Sequence, residues 1–223
     1  MSVQEVTQTR KTNAGKSGVH VVTHPVIQYK LSVMRDKNTS AMAFRQIIEE
    51  ISQFLAYEST RDLKTKVIEV ETPLERAQTE SIADQVVLVA VMRAGNGMLN
   101  GVLKILPFST VGHIGIYRDK FIKSTVEYYL RLPKVLKGKK VIILDPLLAT
   151  GDTACAAIDR LKEHEAESIR YVSILASPQG IAKLQAIHPD VDIYTCNIER
   201  TLDEHGYLRP GVGDAGDRLY DTV

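Results

Sequence analysis

The strongest constraint on the fold is a rhythm. Apolar runs at Val86–Val91, Val111–Tyr117, Val141–Leu144, Tyr171–Ala176 and Val191–Thr195 are separated by a loop or by stretches with helical spacing. That spacing is visible at Met98, Leu99, Val102 and Leu103, at Ala154, Ala157, Ile158 and Leu161, and at Ile181 and Leu184. Runs that are apolar throughout, instead of alternating, are strands covered on both faces, and their alternation with helices predicts an α/β fold: a mainly parallel twisted sheet flanked by helices. In such sheets ligands sit beyond the carboxyl ends of the strands. Candidate chemistry is therefore sought where the runs end.

Before this rhythm, Ala43, Phe44, Ile47, Ile48, Ile51, Phe54 and Leu55 recur at helical spacing behind Ser40, a side chain suited to cap a helix over Ser40–Tyr57. Val21–Lys30 reads as an irregular arm because Pro25 interrupts it. Lys66–Ala77 alternates and turns at Pro73, which suits a strand or hairpin outside the main sheet, placed to serve as a dimer-contact arm. Arg118–Lys140 and Asn197–Val223 show no clear period. Residues 1–18 are polar and mixed in charge and read as a mobile tail, leaving 19–223 as a single domain, a length that supports one substantial core.

Charge narrows the partners. With 28 basic and 27 acidic residues the formal charge is +1, so no broad field exists to hold nucleic acid or an anionic membrane, and any phosphate affinity must be local. No apolar run approaches membrane-spanning length, and the start lacks the apolar core of a signal peptide. Cys155 and Cys196 have neither zinc spacing nor the density of a disulfide scaffold, and the six histidines show no metal-ligand spacing. The expectation is a cytoplasmic protein without nucleic-acid or membrane partners.

The run Val141–Leu144 ends in Asp145, and Pro146-Leu147-Leu148-Ala149-Thr150-Gly151-Asp152-Thr153 leads directly into a helix. A helix start leaves backbone N–H groups unpaired and carries partial positive charge, so it can hold a phosphate without lysine. Small residues permit close approach, Thr150 and Thr153 add hydroxyls, and Asp145 is placed to accept from the hydroxyls of an attached sugar. Taken alone, the segment equally fits an ordinary strand–turn–helix in which Asp145 and Thr153 cap backbone groups.

As a whole, VIILDPLLATGDT resembles the signature of the type I phosphoribosyltransferases, and Pro146 after a single acid resembles the DP-x-LATG form of the uracil phosphoribosyltransferases. Asp152 stands where that family commonly has Gly, which brings a carboxylate to the proposed phosphate. Met92-Arg93-Ala94-Gly95-Asn96-Gly97-Met98 follows the first apolar run. By itself it is a tight turn whose arginine pairs with a surface acid. Beside the phosphate loop it resembles the family's RAGLGM pyrophosphate motif, with Asn96 as the departure. Arg118, followed by Lys120, matches the family's further donor-binding arginine ahead of a flexible flap.

The ending His205-Gly206-Tyr207-Leu208-Arg209-Pro210-Gly211-Val212-Gly213-Asp214-Ala215-Gly216-Asp217-Arg218 is glycine-rich and exposes its own backbone. In isolation it is a Gly/Asp turn; in full it is similar to the family's HGY-x-x-PG-x-GDAGDR ending. The resemblance covers essentially everything after the tail. It implies a type I phosphoribosyltransferase fold with an N-terminal helix or arm and a C-terminal base-binding hood. It also implies conversion of uracil and 5-phosphoribosyl 1-pyrophosphate (PRPP) into UMP and pyrophosphate, with Mg²⁺ carried mainly by PRPP and no protein metal cluster. By the same resemblance Asp145, Arg93 and Arg118 are catalytic, and PRPP is bound by Arg93, Arg118, residues 145–153 (Asp145 through Thr153) and Asp214. Leu208, Gly213, Asp214 and Ala215 bind uracil. Family members form homodimers or homotetramers, and some respond to GTP or CTP. A phosphoribosyltransferase for another base and a non-catalytic nucleotide sensor of the same fold are the rival readings.

Overall fold

The structure, a computed structural model, describes residues 18–118 and 125–222. The expected tail up to Ser17 and Lys120 lie outside the described residues, as does the side chain of Arg118. In chain order the elements are β1 (Val19–Val21), α1 (Pro25–Arg35), α2 (Ala41–Ser59), β2 (Thr65–Glu71), β3 (Arg76–Ile82), β4 (Val86–Met92), α3 (Gly95–Ile105), β5 (Thr110–Arg118), β6 (Thr125–Arg131) and β7 (Lys140–Leu144). They continue with β8 (Leu147–Leu148), α4 (Asp152–Glu163), β9 (Ser168–Val172), β10 (Leu175–Ala176), α5 (Pro178–Ile187), β11 (Asp192–Thr195), β12 (Asn197–Ile198), β13 (Thr201–Leu202), β14 (Leu208–Arg209) and α6 (Ala215–Tyr220).

The main sheet runs β1-β11-β9-β7-β4-β5-β6, parallel throughout except for the antiparallel edge pair β5–β6. The apolar run of β4 explains its central place, because its two sets of alternating side chains serve two cores. Val86, Leu88 and Ala90 pack with Phe44, Ile48, Ile51 and Met98 of α2 and α3, whereas Val87, Val89 and Val91 pack with Ala157, Ile158, Leu161 and Leu184 of α4 and α5. Full burial of each such Leu, Ile or Val side chain contributes about 1.5–3 kcal/mol. Ser40 caps α2 as expected, its hydroxyl accepting from Ala43 N–H at 3.3 Å. β2 and β3 form the expected hairpin outside the main sheet, with Pro73 in its turn.

Four sequence expectations need correction. Pro25 does not interrupt an arm: it is the first residue of α1, where its missing N–H costs nothing, and the His24 imidazole accepts from Val26 N–H at 3.2 Å to cap the helix. Gly18 is not part of a tail, since its N–H donates to Asp192 at 2.8 Å and its carbonyl accepts from Ile193 N–H. The run Tyr171–Ala176 splits after Val172, where the chain crosses from the main sheet into a small sheet of order β12-β10-β8, anchored by the N–H groups of Ile174 and Leu175 on the Pro146 carbonyl. Finally, the two stretches without a period contain β6, β12, β13, β14 and α6. β6 gave no apolar signal because it is an edge strand whose middle residues, Glu127 to Tyr129, are exposed. The short C-terminal strands and α6, six residues long, fall below the length at which periodicity registers.

Candidate active site

Three segments meet at the carboxyl ends of β4 and β7. The first begins at Asp145, directly after β7. Its Oδ2 accepts from the Tyr171 hydroxyl at 2.9 Å and its Oδ1 from Leu147 N–H at 3.4 Å. Burial pushes its pKa up to about 6, against the lowering effect of the Tyr171 and Leu147 hydrogen bonds, and the charge of Asp214 adds to the rise. Asp145 and Asp214 therefore lie near enough for their charges to interact, although far apart in sequence.

Pro146 and Leu148 are buried, and their carbonyls are taken by N–H groups of Ile174, Leu175 and Ser177. They support the loop from below. The Ser177 hydroxyl accepts from Gly180 N–H at 2.7 Å and donates to the Ala149 carbonyl at 2.5 Å, so the first turn of α5 holds the loop in place. Gly151 has φ +84°, a left-handed conformation that glycine adopts without strain, and this turns the chain into α4. The first N–H groups of α4, a helix of 12 residues, thus begin directly at the end of this loop. The helix ends as its dipole favours, with Arg160 and Lys162 in the last turn.

Asp152, the residue least suited to a phosphate, is engaged on both carboxylate oxygens. Oδ2 accepts from the Thr150 hydroxyl at 2.9 Å, and Oδ1 pairs with the Lys183 ammonium of α5. The charge that sequence reasoning placed against the phosphate thus carries its own counter-ion.

The second segment is Arg93, exposed where β4 ends. Its guanidinium contacts Asp217 Oδ1 at 3.1 Å and lies 5.7 Å from the centre of the Tyr220 ring, while the Tyr220 hydroxyl donates to the Arg93 carbonyl at 3.0 Å. Thr222 donates to the same Asp217 oxygen at 2.7 Å. Arg93 does pair with a surface acid, and that acid belongs to the GDAGD segment. The third segment is this ending itself. The β13–β14 hairpin brings Gly206 against the Thr150 methyl group, α6 starts at an Asp214 cap that accepts from Asp217 N–H at 3.0 Å, and Gly213 lies exposed between them. Leu208 is buried, with its side chain in the core.

A family profile described as uracil phosphoribosyltransferase matches residues 21–222. The chain belongs to the uracil phosphoribosyltransferase family. A uracil phosphoribosyltransferase of Polaromonas naphthalenivorans (strain CJ2) is 51% identical over 208 residues, covering 92% of this chain and 99% of that protein. One from Rhodococcus jostii (strain RHA1) is 49% identical over 205 residues, covering 92% and 98%. Among solved structures, the AQ2163 protein of Aquifex aeolicus superposes with a TM-score of 0.87 at 35% identity, covering 92% of this chain and 98% of that one. The fold expectation, a type I phosphoribosyltransferase sheet with an N-terminal helix and a C-terminal hood, agrees with these relationships.

Within this family frame the structure brings together Asp145, residues 149–153, Arg93, Gly213, Asp214 and Ala215. It also supplies residues that sequence reasoning missed. Tyr171, Ser177 and Lys183 come from the next βα unit, and no local motif marks them. Arg35 and Glu199 meet beneath the hood: the Glu199 side chain is fully buried, and the two guanidinium nitrogens of Arg35 bond its two oxygens. Burial alone would raise the Glu199 pKa, yet Arg35, the Gly211 N–H and Asn197 together bring it below the ordinary range. Asp217 partners Arg93, a role that the GDAGD motif alone does not mark.

Proposed function

We propose that this protein transfers the 5-phosphoribosyl group of PRPP to uracil, giving UMP and pyrophosphate. The observation that carries the reading is the meeting, in a chain of this family, of the Asp145 loop, Arg93 and the GVGDAGD segment at one end of the sheet.

In this reading the 5′-phosphate occupies the turn Ala149–Thr153 and takes the N–H groups that begin α4. Asp145, held by Tyr171, accepts from the ribose hydroxyls. Uracil presents acceptor, donor and acceptor along O2, N3–H and O4. Backbone groups of Leu208, Gly213 and Ala215 read that order, and Asp214 faces the donor. A rigid backbone reader rejects a base with a rearranged pattern because polar groups are left unpaired, a discrimination of roughly 10⁴–10⁵.

The reaction is displacement at ribose C1 and needs no protein nucleophile. Alignment of the two substrates and the cationic charge of Arg93 and Arg118 beside the leaving pyrophosphate lower the barrier. Among the described residues no group of three or more His, Cys, Asp or Glu is placed to hold a metal. The two carboxylates, Asp145 and Asp214, are hard oxygen donors that fit a Mg²⁺ ion arriving on the phosphates of PRPP. When bound, Mg²⁺ supplies neutralising charge to the pyrophosphate.

The hairpin β2–β3, with Leu74 at its tip 95% exposed and Val67 67% exposed, supports a homo-oligomer, dimer or tetramer, in which this arm is a contact. No helix among the described residues is long and apolar enough to cross a membrane, and a cytoplasmic location fits the salvage of a free base. A GTP or CTP effector rests on the family alone.

The test mixes the protein with uracil, PRPP and Mg²⁺ and measures UMP, with cytosine, hypoxanthine and orotate in parallel. UMP from uracil alone is expected. No UMP at any substrate concentration, or a product from another base in preference, overturns the assignment.

A further inference from the structure

The segment proposed to read the base is held from beneath by a buried ion pair. Glu199 follows β12, and its N–H donates to the Ala176 carbonyl at 2.7 Å, which fixes it to the small sheet. Its Oε2 accepts from the Gly211 N–H at 2.8 Å and from Arg35 Nη1 at 3.0 Å, and its Oε1 accepts from Asn197 at 2.8 Å and from Arg35 Nη2. Arg35 Nη1 also donates to the Gly211 carbonyl at 3.0 Å. Both backbone polar groups of Gly211 are thus gripped, one by each member of the pair.

One residue further on, the Val212 carbonyl accepts from Arg218 at 3.1 Å, and the same guanidinium donates to the carbonyls of Met34 and Asp36 at 2.7 Å each. Gly211 has φ +62°, and a Cβ there would lie 2.1 Å from the Leu208 carbonyl oxygen, so the bend at this point admits little variation. With Gly211 and the Val212 carbonyl occupied, the chain emerges at Gly213, whose backbone meets no hydrogen-bond partner among the described residues. Among the described residues the side chains of the pair make no hydrogen bond to the 149–153 turn or to Arg93.

We propose that Arg35 and Glu199 are positioning residues that set the affinity for the base: they fix the register in which Gly213 and Ala215 present their backbone groups to uracil. This rests on the transferase reading above. A bidentate guanidinium–carboxylate pair fixes orientation as well as distance, which a single neutral hydrogen bond does not. A backbone reader depends on orientation, so loosening the clamp weakens base binding far more than donor binding, because most donor contacts come from the separate 149–153 turn and Asp214 reaches the donor through a side chain.

The test is steady-state kinetics of wild type, Glu199→Gln and Glu199→Ala, with uracil and PRPP each varied. Glu199→Ala is expected to raise the uracil KM about ten- to hundredfold, with the PRPP KM within about twofold and kcat within about threefold of wild type. Glu199→Gln has the same shape and retains acceptor capacity, so a smaller rise of about three- to tenfold in the uracil KM is expected. Should the alanine variant fail to fold, by circular dichroism and melting, the glutamine variant decides by itself. An unchanged uracil KM in a folded variant, a parallel rise of both KM values, or a fall in kcat alone overturns the proposal. A wild-type protein that makes no UMP overturns the transferase reading first, and that outcome is distinct from an active wild type whose variants are indifferent.

Discussion

At the scale of single residues, the acid inside the proposed phosphate loop is explained by its neighbour. Asp152 would oppose a phosphate by like charge, but Lys183 from α5 pairs with one oxygen and Thr150 with the other. The Asp152 and Lys183 side chains are 21% and 42% exposed, so solvent screens the pair and its worth is about 0.2–1 kcal/mol. Lys183→Ala is therefore expected to raise the KM for PRPP about 1.5- to fivefold, while the uracil KM stays put. Adding Asp152→Gly to that variant should return the donor KM to near the wild-type value, because the unneutralised carboxylate is then gone. Steady-state kinetics of the two single variants and the double variant checks this. A Lys183→Ala protein with an unchanged donor KM would show that the carboxylate does not face the phosphate. Sequence reasoning identified Asp152 as the anomaly but not its remedy, since Lys183 lies 31 residues on and meets the loop only after α4 and β9 have returned the chain.

Among the elements, long buried pieces were legible and short bridging ones were not. β4, β7, α2 and α4 announce themselves because several turns or residues of one period face one core. β6 and α6 are tied to distant parts of the chain by polar contacts: β6, paired with its neighbour β5, through the Arg160–Glu127 ion pair, and α6 through Arg45 on the Leu219 carbonyl and Arg93 on Asp217. Contacts of that range leave no periodic trace. The packing of α2 on α3 makes a sharp prediction of its own. A Cβ on Gly101 would lie 2.1 Å from the Glu49 carbonyl oxygen, so the two backbones touch there and cannot part without moving the start of α3, which follows directly after Arg93. Gly101→Ala is expected to cost about 1–3 kcal/mol, read as a fall in Tm of roughly 3–10 °C, together with a lower kcat/KM for PRPP. An unshifted melting curve would mean that the helices are free to separate.

The hood clamp also gives the protein an acid sensitivity. The Glu199 carboxyl lies below its ordinary value, since Arg35, the Gly211 N–H and Asn197 outweigh the opposing effect of burial. A depressed folded pKa contributes stability that is fully present above the unfolded value, about 4.3, and is lost as pH falls through the folded one. Glu199→Gln does not titrate there. The Tm difference between wild type and this variant should hold constant from neutral pH to about pH 5 and narrow as pH drops below about 4. Melting curves across that range test the sign, and a gap that widens on acidification would contradict it.

For the whole molecule, the site is assembled from pieces that begin in every part of the chain: α1 supplies Arg35, β4 leads to Arg93, β7 to Asp145, α5 carries Lys183, and the final segment carries Gly213 to Asp217. Substrates that bridge these pieces must stabilise the fold as a unit, because a ligand bound only by the folded state raises stability by RT ln(1 + [L]/Kd), about 2.7 kcal/mol at one hundred times Kd. For a chain of 223 residues this corresponds to a Tm rise of roughly 5–10 °C with saturating PRPP and Mg²⁺. In the proposed reading Mg²⁺ arrives on the phosphates of PRPP, with Asp145 and Asp214 as the carboxylates that would meet it. Mg²⁺ alone should leave Tm unchanged, and PRPP after chelation of divalent ions should recover only a fraction of the rise. A comparable rise with Mg²⁺ alone would reveal a metal site formed by the protein itself. A full rise with chelated PRPP would remove Mg²⁺ from donor binding and confine its part to the departure of pyrophosphate.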